Sequence, residues 1–324
     1  MKGISTFNFF LSKLDLLLRE AEKQDNPGWW LYKNDARTPA FMLEGLARLY
    51  KQVEDEEKGI KKIKEDFKLL EDAIGSIDYY DNLANDLGKI PSVDKKYSTY
   101  LRNRSDDKVS ELNSLLSNRK WTGHKENRIM RCQEKLKKVK WNDEREDING
   151  FRKYYREEIS EINDFIDSRN GVFTKMEEEV HEFRRKIRWL SIYPRALNGA
   201  IQLSGSIEDK PELQNYFTQE IIQSPYNTMP LPEGRKEILY LSKPDFFALS
   251  WMIAAIGKLK DQGLNILGLA EAITSLDDID EEQAIKKAII QADSQEGALE
   301  EILRNSSELI KAYRKTNSLR HLPA

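Results

Sequence analysis

Apolar side chains return every three to four residues over most of this chain, and that rhythm leaves packed α-helices as the fold it can build. Phe10 to Glu22 carries it first. After a break at Asn26-Pro27-Gly28, Thr38-Pro39 reads as a helix start, with threonine as cap and proline at the first helical position, and the helix runs to Val53. The spacing predicts further helices over 56–73, 77–87, 108–116 and 125–140, then a long one capped by Asn142-Asp143 and ending near Asn170-Gly171. Another spans 173–193, where Pro194 should kink or end it. Helices resume at Asp245, with three more at about 265–275, 281–292 and 296–317. Between Ser204 and Pro244 the character changes, because half of the ten prolines fall there. Tyr216, Phe217, Ile221, Ile222 and Tyr240 in this stretch need cover, so 204–244 reads as a folded excursion rather than a linker. No strand is convincing, with 237–241 a weak candidate. The expected class is all-α.

Composition narrows the function. The chain has 324 residues, 39% apolar and 33% charged, and its 31 aromatic residues argue against disorder. A formal charge of −3 argues against a protein that coats nucleic acid indiscriminately, while leaving room for a local basic site. Cys132 is the only cysteine, which excludes an internal disulfide or thiolate cluster and leaves a small apolar residue on a helix face. No apolar window reaches transmembrane length; 246–256 is the most apolar and reads as a buried helix. The expectation is a soluble, cytoplasmic protein.

Two cationic stripes stand out. At 100° per residue His181, Arg184, Arg185, Arg188 and Arg195 share one arc, while Val180, Phe183, Ile187 and Leu190 gather opposite. Neighbouring cations repel by a few tenths of a kcal/mol per pair, roughly, so a helix selected only for stability would intersperse glutamates. Glu177 shares the face one turn earlier, but nothing acidic separates the basic residues on that arc. The second stripe is His124, Arg128, Arg131, Lys135 and Lys138, with Ile129, Cys132, Leu136 and Val139 on a neighbouring face. Nine basic residues stand between Arg119 and Lys140, against Glu126 and Glu134. Such residues supply charge and multiple donors to phosphate oxygens, arginine bidentately, and two stripes flanking one channel would add their fields. The opposing reading is a pair of solvated helix faces.

Other chemistries find no foothold. There is no Walker loop, Rossmann glycine pattern, His-Glu-x-x-His helix or EF-hand loop, and no motif nominates a nucleophile. Asp277, Asp278, Asp280, Glu281 and Glu282 read as an acidic helix start rather than a metal site. The six tryptophans read as packing. The expectation is a protein without catalytic residues, metal or cofactor.

Ala73-Ile-Gly-Ser-Ile-Asp78 echoes Ala255-Ile-Gly-Lys-Leu-Lys-Asp261, which suggests an internal duplication. Together with His181-x-x-Arg184-Arg185-x-x-Arg188, these segments resemble the CHAD family, the conserved histidine α-helical domain. The resemblance implies one all-α domain of two pseudo-symmetric antiparallel helical bundles, the first half about 1–118 and the second about 119–324. It also implies binding of inorganic polyphosphate or another polyanion. The first-half helix at 36–50 departs from the pattern, offering only Arg37 and Arg48. The expected function is therefore a non-enzymatic polyanion-binding module. Its walls would be His181, Arg184, Arg185 and Arg188 on one side and His124, Arg128, Arg131, Lys135 and Lys138 on the other. The alternative is a structural scaffold with a protein partner that kept the fold and lost the ligand.

Overall fold

The computed structural model describes residues 3–53, 57–123 and 125–323 and is all-α apart from one pair of short strands. The helices are α1 (Gly3–Ala21), α2 (Pro27–Lys33), α3 (Arg37–Val53), α4 (Glu57–Leu87), α5 (Lys95–Asn118), α6 (Arg128–Lys138) and α7 (Glu144–Asp167). After α8 (Glu182–Ala196) and the one-turn α9 (Gln219–Ile222) come α10 (Lys243–Asp277), α11 (Glu281–Gln291), α12 (Ala298–Lys315) and α13 (Ser318–His321). Strands β1 (Ile201–Ser204) and β2 (Leu239–Ser242) pair in parallel, Ile201 opposite Leu239. The chain divides into two compact units. An N-terminal unit joins 4–140 to 264–298, and a C-terminal unit joins 141–263 to 299–324 with Gly3. Helix α6 falls in the first of these because it packs against α4.

In the N-terminal unit α4 packs along both α3 and α5. Its buried residues Ile60, Ile63, Phe67, Leu70, Ile74 and Ile77 alternate three- and four-residue steps, the spacing of a coiled-coil seam. The next seam position is Asp81, only 2% exposed. A charge there is tolerable only when fully engaged. Tyr32 Oη (2.8 Å) and Lys33 Nζ (3.0 Å) of α2 and Arg102 of α5 all donate to its carboxylate. The seam runs unbroken through Gly75, so 57–87 is one helix where the spacing predicted two. Helix α2 was not anticipated, although its signals stand in the chain: Asn26 caps it by accepting from Trp29 N, and Pro27 opens it. Helix α5 likewise begins at Lys95, because Asp94 caps it, rather than near 108. At the far end Asp277 accepts from Lys96, Tyr97 and Lys287, which hold its carboxyl below the usual range.

The C-terminal unit begins with the predicted cap. Asp143 accepts from Arg145 N and Glu146 N at 2.9 Å, and the Glu146 carboxylate accepts from Asp143 N at 3.2 Å to complete a capping box. Val180, Phe183, Ile187 and Leu190 are all fully buried, as the apolar arc required. Pro194 lies inside α8 without ending it, since the helix closes only two residues later. Tyr155 Oη donates to Leu190 O at 2.9 Å, tying α7 to α8. Of the excursion's apolar residues, Ile221 is buried, and Tyr216, edge-on to Trp251, and Phe217, edge-on to Phe247, are half-buried, whereas Ile222 and Tyr240 are 41% and 46% exposed and lack the expected cover. The excursion also holds β2, close to the weak strand candidate at 237–241, whereas its partner β1, which ends where the excursion begins, carries no such signal. Buried Asp245, in the first turn of α10, takes Lys210 Nζ at 2.7 Å and the Ser242 hydroxyl.

Candidate anion-binding surfaces

The α6 stripe starts from an Asn127 cap, whose side chain accepts from Met130 N at 3.0 Å. Ile129, Cys132 and Leu136 bury the inner face of α6. Burial pushes the Cys132 thiol up to about 12, so it stays a protonated, unreactive packing group. Beside this face the cations separate into two groups. Arg128, its side chain 14% exposed, donates to Arg119 O at 2.9 Å and lies 3.3 Å from Asp66 of α4. Lys135 Nζ lies 4.0 Å from the same carboxylate, which is itself 5% exposed. These two hold the helix against α4. Arg131 and Lys138 are exposed and make no ion pair among the described residues. Lys137 pairs with Glu134 at 2.7 Å. His124 lies outside the described residues.

The α8 stripe is more deeply committed. Residues Met176–His181 form a π-helical turn that leads into α8. At its end His181 Nδ1 sits 2.7 Å from Glu177, and that hydrogen bond lowers the Glu177 pKa. Arg185 pairs with Glu182 at 2.6 Å, so an acid does reach the stripe from the position beside His181. Glu182 lies off the arc of the helical projection, yet its side chain spans to the next turn. Arg188 is half-buried. Arg184 lies flat over α10, with Nε directed at Ile253 O (3.4 Å). A Cβ on Gly257 would stand 2.9 Å from that Nε.

The N-terminal unit repeats this seat. Arg37, at the start of α3, covers Gly75 of α4, where a Cβ would stand 2.7 Å from its guanidinium. There the arginine is neutralised by Glu71 at 2.7 Å and Asp78 at 2.9 Å. The two glycines are those of the repeated Ala-Ile-Gly segments, so the sequence echo has a common physical cause: each admits an arginine onto its helix. Sequence reasoning found both glycines and missed their occupants. The signal was present, an arginine near the start of a helix upstream of each glycine, Arg37 in α3 and Arg184 in α8.

The α6 stripe belongs to the N-terminal unit and the α8 stripe to the C-terminal unit. No group of carboxylate, histidine or cysteine side chains among the described residues is arranged to hold a metal, and the acidic run divides its labour instead. Asp280 caps α11 by accepting from Gln283 N at 2.8 Å, while Asp277 serves the three donors of α5 and α11. No described helix is long and apolar enough to cross a membrane. Comparison with known proteins finds no matching family model, no curated relative and no similar solved structure.

Proposed function

We propose that this protein is a non-enzymatic helical module that binds a polyanion, inorganic polyphosphate being the ligand class its chemistry suits, with α6 as the principal docking face. One observation carries the reading. Arg131 and Lys138 stand exposed without ion pairs among the described residues, on a helix whose other cations are engaged, Arg128 and Lys135 by buried Asp66 and Lys137 by Glu134. Two roughly helical turns, or about 10 Å, separate the exposed pair. With Lys135 between them, and Lys120, Lys125 and Lys140 exposed in the flanking segments, the surface offers an anionic chain successive charges. A net charge of −3 for the whole chain confines the attraction to this region. The α8 cations contribute less, because His181 and Arg185 already face Glu177 and Glu182.

The test is titration of long-chain polyphosphate at low salt into the unaltered protein and into an Arg131→Glu, Lys138→Glu double variant. The variant changes the surface by four charges and touches no buried residue. Its helicity should be unchanged and most of its affinity lost. Absence of binding by the unaltered protein, or full binding by the variant, rejects the reading.

A second reading, a scaffold that recognises a protein partner, is favoured by the same α8 pairs, which spend that stripe's charge inside the molecule. It predicts a stable partner in pull-down whose capture survives the α6 reversal.

A further inference from the structure

The C-terminal unit contains a cleft of about 660 Å³ between α7 and the corner where α12 turns into α13. Its wall is unusual in charge. Arg156 from α7, Arg314 from α12 and Arg320 from α13 all line it, and no carboxylate does. Arg314 is oriented by Asp167, which takes both its terminal nitrogens, Nη2 at 2.8 Å from Oδ2. Arg156 and Arg320 are exposed and make no ion pair among the described residues. Asn163 and Asn317 add two side-chain amides that make no hydrogen bond among the described residues. Buried Ile159 and Leu319 give the cleft an apolar floor.

This combination differs from the α6 surface, which is a convex row of cations. A concave site of about 300–1,000 Å³ with an apolar floor and a few convergent polar groups suits a small molecule. Guanidinium groups match the paired oxygens of carboxylate or phosphate. The geometry points to a binding site for a small organic anion, a carboxylate or phosphate monoester on a compact apolar body. The arginines take the anionic head, the amides take its remaining acceptors, and the floor takes the apolar body. The site stands independently of polyanion binding at α6.

The probes are phenyl phosphate, benzoate, inorganic phosphate and benzyl alcohol, titrated into the full-length protein by calorimetry with amide NMR shifts to locate binding. Phenyl phosphate or benzoate should bind saturably, and the tighter of the two assigns the head group. Inorganic phosphate and benzyl alcohol should each bind at least tenfold more weakly, since each offers one half of the ligand. Arg156→Ala with Arg320→Ala should weaken the organic anion at least tenfold, leaving the melting temperature and polyphosphate binding unchanged. If that pair lowers stability, Arg320→Gln alone supplies the same comparison. No saturable binding by either aromatic anion overturns the proposal. So does inorganic phosphate binding as tightly as phenyl phosphate, or affinity indifferent to loss of the arginines.

Discussion

Single residues carry two opposite kinds of strain in this molecule. Glu44, 3% exposed on α3, sits near Glu71, and burial first, then that second carboxylate, raises its pKa to about 7. A carboxyl whose folded pKa lies above its unfolded value favours folding only while protonated. Its contribution is intact below about pH 4.5 and is lost as pH rises to about 7, a change of roughly 3 kcal/mol. Glu44→Gln should remove that loss. Urea unfolding at pH 5 and pH 8 should show the variant falling less between the two by about 2–3 kcal/mol, and an unchanged difference would mean Glu44 ionises freely. Gly199 is strained differently. Its φ of +94° is open to glycine, and an added Cβ would lie 2.3 Å from the Leu231 carbonyl oxygen, a backbone atom that cannot rotate away. Gly199→Ala should cost about 2–4 kcal/mol by chemical denaturation.

At the level of elements, α6 shows how much of a site can be read from spacing and where reading stops. The arc holding Arg128, Arg131, Lys135 and Lys138 follows from 100° per residue, and so does the buried face of Ile129, Cys132 and Leu136. The partner does not follow, because Asp66 lies some sixty residues earlier and only the packing of α6 on α4 brings it near. The same limit explains α4 and α10. Gly75 and Gly263 suggest interruptions, yet Arg37 lies over the first and Met176 over the second, so each glycine admits a neighbour within a continuous helix. Helices α2 and α5 were legible from Asn26 and Asp94, and the cleft arginines were not, since α7, α12 and α13 meet only in the fold. Asp66 has a testable double role. Asp66→Asn would leave Arg128 and Lys135 close together without their carboxylate, which should cost about 2 kcal/mol of stability. The same change removes a competitor for an external anion. Polyphosphate affinity should therefore rise as the melting temperature falls, and a joint fall would mean that Asp66 positions the cations for binding.

For the molecule as a whole, the governing fact is that 52 basic and 55 acidic residues nearly cancel, so any anion site must work by local concentration. Binding through counterion release counts the phosphates neutralised, with log affinity falling against log salt by about 0.7 per contact for a flexible single chain. If α6 alone forms the site, Arg131, Lys135, Lys138 and one flanking lysine give about four contacts and a slope near −3. A separate site on α8, through Arg184, Arg185 and Arg188, would give about three contacts and a slope near −2. Polyphosphate titrations from 50 to 300 mM salt separate these cases without altering the protein. A slope near −3 that disappears in the Arg131→Glu, Lys138→Glu variant assigns the surface to α6. A slope near −2 that survives in that variant would show that the α8 cations, despite Glu177 and Glu182, exchange their internal partners for the ligand. That exchange would itself depend on acidity. The Glu177 carboxyl is held below its usual range by His181, so its charge competes for that histidine throughout neutral pH and is lost only in acid. Affinity carried by α8 should then change little from pH 7 to 4.5 and increase only below that, as Glu177 protonates, while the Arg131 and Lys138 charges at α6 stay constant throughout.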